Sequence, residues 1–324
     1  MKRKALILFL LLACTAMQGQ QLPIYSQYLY NKFLINPAVA GSEGFTSLNL
    51  TARQQWVGYS GAPQTFSLSI EGRILKKGLS SRKGSSHSLF RPGNDGKVGV
   101  GAVIYNDRNG LVQRTGFQVS YAYHTWLNSA TQLSMGLSFN GCYYKINVQD
   151  IVLEDPNDPI LNSDFRHGVF IPDVTFGTYL LNSKYNLGFS ADQLLQAVIK
   201  IGGNGYKNLK IVRNYNLFGS YDFQMAHDFI FQPNILFMMS EQLKPMADIG
   251  VTVKHGLDYW AGLTYRTSGA MIANIGYKYK NILIGYSIDY SLSEIQRLTY
   301  GTHEISLAMR FGDSARRYRW LDRY

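Results

Sequence analysis

The sequence predicts an all-β chain, a transmembrane antiparallel β-barrel of about 14 strands. Three observations predict it. Apolar and polar residues alternate in short segments along most of the chain, the composition is rich in Tyr and Gly and poor in charge, and a basic, apolar leader opens the sequence. Alternation with a period of two puts apolar side chains on one face of a strand and polar ones on the other. A membrane barrel needs that arrangement, with its dry face toward lipid.

The leader comes first. Met1-Lys2-Arg3-Lys4 followed by Ala5 to Ala13 is a basic start and an apolar core too short to cross a bilayer as a helix. It reads as an export signal over residues 1–19. Cleavage after Ala16, with Cys14 and Ala16 as the small residues, and cleavage after Gly19, leaving Gln20 or Gln21 first, both fit. Leu11-Leu12-Ala13-Cys14 offers a third route, a lipoprotein box that acylates Cys14, although Leu is poor at its second place. Ordinary cleavage leaves Cys142 alone and hence no internal disulfide. No later stretch approaches the roughly 18 apolar residues of a membrane-spanning helix. The mean hydropathy of −0.12 agrees, which excludes a helical inner-membrane protein.

Composition narrows the class further. Charged residues are 16% of the chain, against roughly 25% in soluble domains. Aromatics are 14%, with 23 Tyr to 4 Trp, beside 31 Gly and 9 Pro. Tyr suits the boundary between hydrocarbon and water, and Gly relieves crowding where strands curve. A soluble β-sandwich shares the Tyr and Gly. Removing Lys2, Arg3 and Lys4 with the leader lowers the formal charge from +11 to +8. The basic residues are scattered and form no nucleic-acid motif, so acidic partners or anionic headgroups are expected instead of nucleic acid.

Residues 20–44 follow the leader. Tyr25-Ser26-Gln27-Tyr28 through Asn36-Pro37-Ala38-Val39-Ala40-Gly41 is dense in aromatics and amides, which are costly to leave unpaired. Packing inside the barrel or against its rim satisfies them. An ordinary first strand and turn is the competing reading.

The barrel is expected over 45–312, with strands near 45–56, 63–74, 97–106, 113–126, 130–146, 170–181, 184–192, 209–223, 226–240, 246–254, 256–268, 270–280, 281–292 and 302–312. The last is clearest, because Ile305, Leu307, Met309 and Phe311 alternate with Glu304, Ser306, Ala308 and Arg310. Trp126, His124, Tyr144 and Arg310 are bulky candidates for the inner face. Three stretches do not read as strands: the Lys/Arg/Ser/Gly-rich 75–96, the 147–169 loop, and a basic tail over 313–324 with Arg316, Arg317, Arg319 and Arg323.

No arrangement of residues argues for an enzyme. The cluster Glu154, Asp155, Asn157 and Asp158 lacks the ligand spacing of a calcium loop and holds two prolines, so it reads as a solvated turn. His303 and Glu304 are adjacent on a strand and point to opposite faces. Gly202-Gly203-Asn204-Gly205 lacks the Lys-Ser/Thr of a phosphate loop, and no Gly-x-Ser-x-Gly elbow is present. No cofactor or metal is expected.

Four pieces together resemble a known family: Ser26-Gln27-Tyr28 to Asn36-Pro37-Ala38-Val39-Ala40-Gly41; Arg53-Gln54-Gln55-Trp56-Val57-Gly58 with Gly61-Ala62-Pro63; Asn106-Asp107-Arg108-Asn109-Gly110; and Tyr286 to Ser293 with Gly301 to Leu307. In this order they resemble the PorP/SprF family of outer-membrane proteins. The resemblance implies a barrel in the outer membrane of a Gram-negative bacterium that works with type IX secretion, either within the motor-linked envelope complex or as an accessory that exports and holds a surface adhesin. It implies outer-membrane lipids and an adhesin or other secretion components as partners, and it supplies no catalytic residues.

Tyr25, Gln27, Tyr28, Asn36, Pro37, Glu154, Asp155, Asn157, Asn204, Arg316 and Arg317 are the candidate partner-binding residues. A passive or substrate-specific channel is the alternative function, because a barrel of about 14 strands has a lumen unless it is obstructed. The expected topology puts both ends of the barrel, the Tyr25 to Gly41 segment and the tail at the periplasmic rim. The turns near 57–62, 107–112, 147–169, 193–208, 241–245, 269 and 281 are then extracellular.

Overall fold

The computed structural model describes residues 24–74, 97–128, 130–147, 168–199, 209–226, 228–241, 245–256 and 258–311. Strand β1 (Thr46–Gln54) buries Ser47, Asn49, Thr51 and Arg53 on its inner side and exposes Leu50 on the other. β2 (Gln64–Ile74) repeats the pattern more sharply: Thr65, Ser67 and Ser69 are buried inward, while Phe66, Leu68 and Ile70 are exposed outward. The sequence alternation is thus the inside–outside alternation of a wall.

The wall continues through β3 (Val98–Asn109), β4 (Val112–Trp126), β5 (Thr131–Ile146), β6 (Val169–Asn182) and β7 (Tyr185–Asp192). β8 runs over Asn214–Tyr221, is interrupted at Asp222 and resumes over Phe223–Ala226. The remaining strands are β9 (Phe229–Ser240), β10 (Met246–His255), β11 (Tyr259–Arg266), β12 (Ala270–Tyr279), β13 (Ile282–Ser291) and β14 (Thr302–Phe311). Every neighbouring pair is antiparallel. β1 also pairs with β14, from Thr46 opposite Phe311 to Gln54 opposite His303, so the 14 strands close and leave no edge. Closure satisfies the backbone N–H and C=O groups that hydrocarbon cannot.

Outside, large apolar side chains are exposed around the whole wall, including Val119, Leu137, Ile249, Leu263, Ile275 and Ile305. On a soluble protein such a surface would drive association, whereas the outer face of a membrane barrel is apolar as a rule. Among the described residues no helix is long and apolar enough to cross a membrane. Aromatics collect toward both ends, with Tyr185, Tyr221, Phe223, Tyr259, Tyr277 and Tyr279 toward one and Phe66, Tyr143, Phe170, Tyr265 and Tyr290 toward the other.

The two rims differ. At the proximal rim, where β1 begins and β14 ends, the connections are 75–97, 127–130, 183–184, 227–228, 256–258 and 280–281. The distal rim carries 55–63, 110–111, 147–168, 193–213, 241–245, 267–269 and 292–301. Two sequence expectations are corrected here. The turn at 281 is proximal, because Arg310 near the end of β14 donates its backbone N–H to Asn281. The thirteenth connection, in the gap expected between the strands at 281–292 and 302–312, is the distal one instead and holds a short 3-10 helix, Glu294–Leu298. The eighth strand begins at Asn214, not near 209, because Leu209–Lys210 pairs with Val198–Ile199 in a separate small ladder.

Candidate functional site

The lumen is filled by the chain's own N-terminal segment. Ile24 to Phe45 contains two 3-10 turns, Lys32–Leu34 and Pro37–Val39, and Tyr28, Phe33, Ala38, Val39 and Ala40 are buried against Val103, Ala122, Tyr179, Leu181, Phe218 and Leu236 of the wall. The aromatic and amide density of this stretch is therefore a plug, and neither a first strand nor a rim structure. The segment descends from the distal half of the lumen, level with Arg53 and Glu304, to the proximal rim at Gly41. Only its last residues reach the rim that the expected topology assigned to all of it.

A plug brings unpaired backbone groups into a closed space, and the wall supplies their partners. Glu304 on β14 accepts from the backbone N–H of Ser26 (2.8 Å) and of Gln27 (2.9 Å), and the Gln27 amide donates to the Glu304 carbonyl (3.1 Å). Arg53 on β1 donates to Glu304 (3.0 Å), to Asp289 on β13 (2.8 Å) and to the Ser26 hydroxyl, which itself donates to Asp289 (2.7 Å). Arg266 on β11 extends the cluster, 3.7 Å from Asp289 and doubly bonded to Asp248 at 2.8 and 2.7 Å. Charges this deeply buried persist only when paired and hydrogen-bonded. Here plug and wall supply partners to each other, while Gln27 Oε1, Arg53 Nε and Asp289 Oδ1 stay buried without a hydrogen bond.

Further along, Asn36 caps the second turn by accepting from Ala38 N–H (2.9 Å), and its side-chain NH₂ donates to the carbonyls of Thr178 (2.9 Å) and Phe189 (3.1 Å) on neighbouring strands. Pro37 sits at the start of that turn, where a missing N–H costs nothing. Near the proximal rim Arg73 donates to the carbonyls of Gly41 and Ser42, and His124 bonds the Ala40 carbonyl at 3.0 Å.

The wall is hollowed to receive the plug. A Cβ added at Gly99 would lie 1.8 Å from the Ala40 oxygen; at Gly101, 2.4 Å from Phe33; at Gly136, 2.4 Å from Ala38 N; at Gly177, 2.1 Å from Asn36 Oδ1; and at Gly285, 2.2 Å from Gln27 Oε1. Five wall positions, on β3, β5, β6 and β13, thus exclude every side chain because the plug occupies the space.

Of the candidate residues from sequence, Tyr25, Gln27, Tyr28, Asn36 and Pro37 come together in this plug, all buried. Glu154, Asp155, Asn157, Asn204, Arg316 and Arg317 lie outside the described residues. The wall residues Arg53, Glu304, Asp289, Arg266 and the receiving glycines were missed. Arg53, Asp289 and Glu304 stand inside the pieces that carry the family resemblance, but in the strand pattern each is only a charge on a polar face, and the glycines carry no mark of what they receive. The bulky inner candidates His124, Tyr144 and Arg310 do face inward. Among the described residues no group of His, Cys, Asp and Glu could hold a metal ion.

A family model for the type IX secretion system membrane protein PorP/SprF matches residues 17–309. The chain belongs to the PorP/SprF family. No curated protein matches its sequence. Among solved structures, the toluene transporter TbuX of Ralstonia pickettii is similar at TM-score 0.46 and 11% identity, over 86% of this chain and 93% of that one. The Pseudomonas putida toluene transporter TodX gives 0.45 and 10%, over 86% and 92%. The KdgM porin gives 0.35 and 9%, over 82% and 99%. These likenesses are too distant to bear on what this PorP/SprF protein binds.

Proposed function

We propose that this PorP/SprF protein is a closed interaction barrel in the outer membrane of a Gram-negative bacterium. It is delivered by the 1–19 leader and binds a partner protein of type IX secretion, supporting export or surface attachment of an adhesin. The observation that carries the reading is the plug. A lumen whose wall glycines and buried charges are committed to the chain's own segment is built to stay filled, and a filled lumen favours recognition at the rims over conduction. The distal connections 147–168 and 193–213, with Glu154, Asp155, Asn157 and Asn204, are the proposed contact for an exported partner. Arg316 and Arg317 in the tail face periplasmic components in this scheme. Tyr25, Gln27, Tyr28, Asn36 and Pro37 act from inside, by fixing the plug against which the rims are arranged.

A deletion strain tests the reading. Loss of at least one type IX cargo from the cell surface, restored by the wild-type gene, supports it. Unchanged surface cargo together with reduced uptake of small solutes overturns it in favour of a channel.

A further inference from the structure

Between the plug and one sector of the wall lies a cavity of about 60 Å³, bordered by Lys32 of the plug, Lys254 on β10, Lys278 on β12 and Arg310 on β14. A buried water needs about 10–15 Å³ on this scale, so the space suits a group of four or five heavy atoms. Its polar lining is one-sided. Four cations from four separate elements border it against one acid, Glu43, which pairs with Arg310 at 3.3 Å. Asp222 lies 3.5 Å from Lys254, and Glu71 accepts the Gly41 N–H at 3.0 Å. None of the ion pairs among the described residues involves Lys32. Burial also pulls its ammonium down to about 8, opposed by Glu43.

We infer that this cavity is a binding site for a small oxyanion of the phosphate class, entering from the proximal rim. A monocarboxylate offers one charge and two oxygens to four converging cations. A phosphate offers more of both, and Lys ammonium groups can meet its oxygens from any direction. Trp260, Leu283 and Leu29 border the same space and close its sides. The charged side chains of the lining stand on the plug and on the inner faces of the strands, so the strand wall separates them from acyl chains, while Tyr259 of the lining is exposed on the outer face at the rim. A soluble phosphate or phosphate ester fits and a phospholipid headgroup does not. The inference goes beyond the partner-binding reading and does not depend on it.

Calorimetric titration of the folded, detergent-purified full chain with inorganic phosphate at low ionic strength tests it. One saturable site is expected, at least tenfold weaker in Lys32→Gln and in Lys278→Gln, and unchanged in Lys145→Gln at the distal rim. Acetate should bind at least tenfold more weakly than phosphate. Heat-modifiable migration on gels reports folding of each variant. Lys278 is only partly buried, so its variant keeps the test decisive if Lys32→Gln does not fold. No saturable phosphate binding to wild type, wild-type binding in the folded Lys variants, or acetate binding as tightly as phosphate would each overturn the site.

Discussion

Arg53 on β1 stands across the barrel seam from Glu304 on β14, its guanidinium 3.0 Å from the carboxylate, and both also hold Ser26 of the plug. The seam that closes the barrel and the contact that anchors the plug are therefore one cluster. Arg53→Ala would leave Glu304 and Asp289 buried without their shared cation, and breaking such a set costs about 3–5 kcal/mol. Denaturant titration followed by heat-modifiable migration should show this loss. Arg53→Lys should recover little of it, because an ammonium cannot span two carboxylates and a hydroxyl as the guanidinium fork does. The Arg53→Ala/Glu304→Ala pair should lose less than the sum of the single changes.

The glycine sockets give a second expectation. Gly99→Ala and Gly101→Ala drive a methyl into the Ala40 carbonyl and the Phe33 ring, an overpacking cost of about 1–3 kcal/mol or more. The plug should yield before the closed wall does. Limited proteolysis should cut the 24–45 segment faster in these variants, while Gly219→Ala, whose added methyl would meet Asn186 and Leu187 of the wall and no plug atom, should leave that segment as protected as in wild type. Equal protection of all three would contradict the sockets.

A third expectation concerns lipid. Ile305 and Phe311 are exposed on the outer face of β14, and Leu307 shares that face, whereas Ser306 points inward. Leu307→Arg near mid-membrane should cost about 2–4 kcal/mol and Ser306→Arg less. A membrane-folding assay that tolerates both equally would contradict the assignment.

Much of this barrel is legible in its sequence, for a physical reason. Each strand separates lipid from a polar interior, so alternation survives at Thr65 to Ile70 and at Thr302 to Phe311 without help from the rest of the chain. Alternation does not mark where a strand leaves the wall, which is why Leu209–Lys210 was misplaced. The plug was legible as an aromatic, amide-rich stretch needing partners. Its partners were not, because Glu304 and Arg53 are far apart along the chain and meet only through closure. Gly99 likewise looks like any strand glycine until Ala40 is found against it.

Topology follows from the rims. Loops are generally longer on the extracellular side of such barrels, and the long connections 147–168 and 193–213 are distal, with 75–97 the proximal exception. In a Cys142→Ser background, impermeant maleimide on intact cells should label Asn157→Cys and Asn204→Cys but not Ser86→Cys. Labelling at Ser86 alone would invert the barrel and move the proposed partner surface to 75–97.

Planar-bilayer recording of the purified protein tests most directly whether residues 24–45 close the lumen. Wild type should show little steady conductance, and Arg53→Ala should admit intermittent openings as the plug loosens. Large, stable, porin-like currents from the wild-type protein would contradict the account.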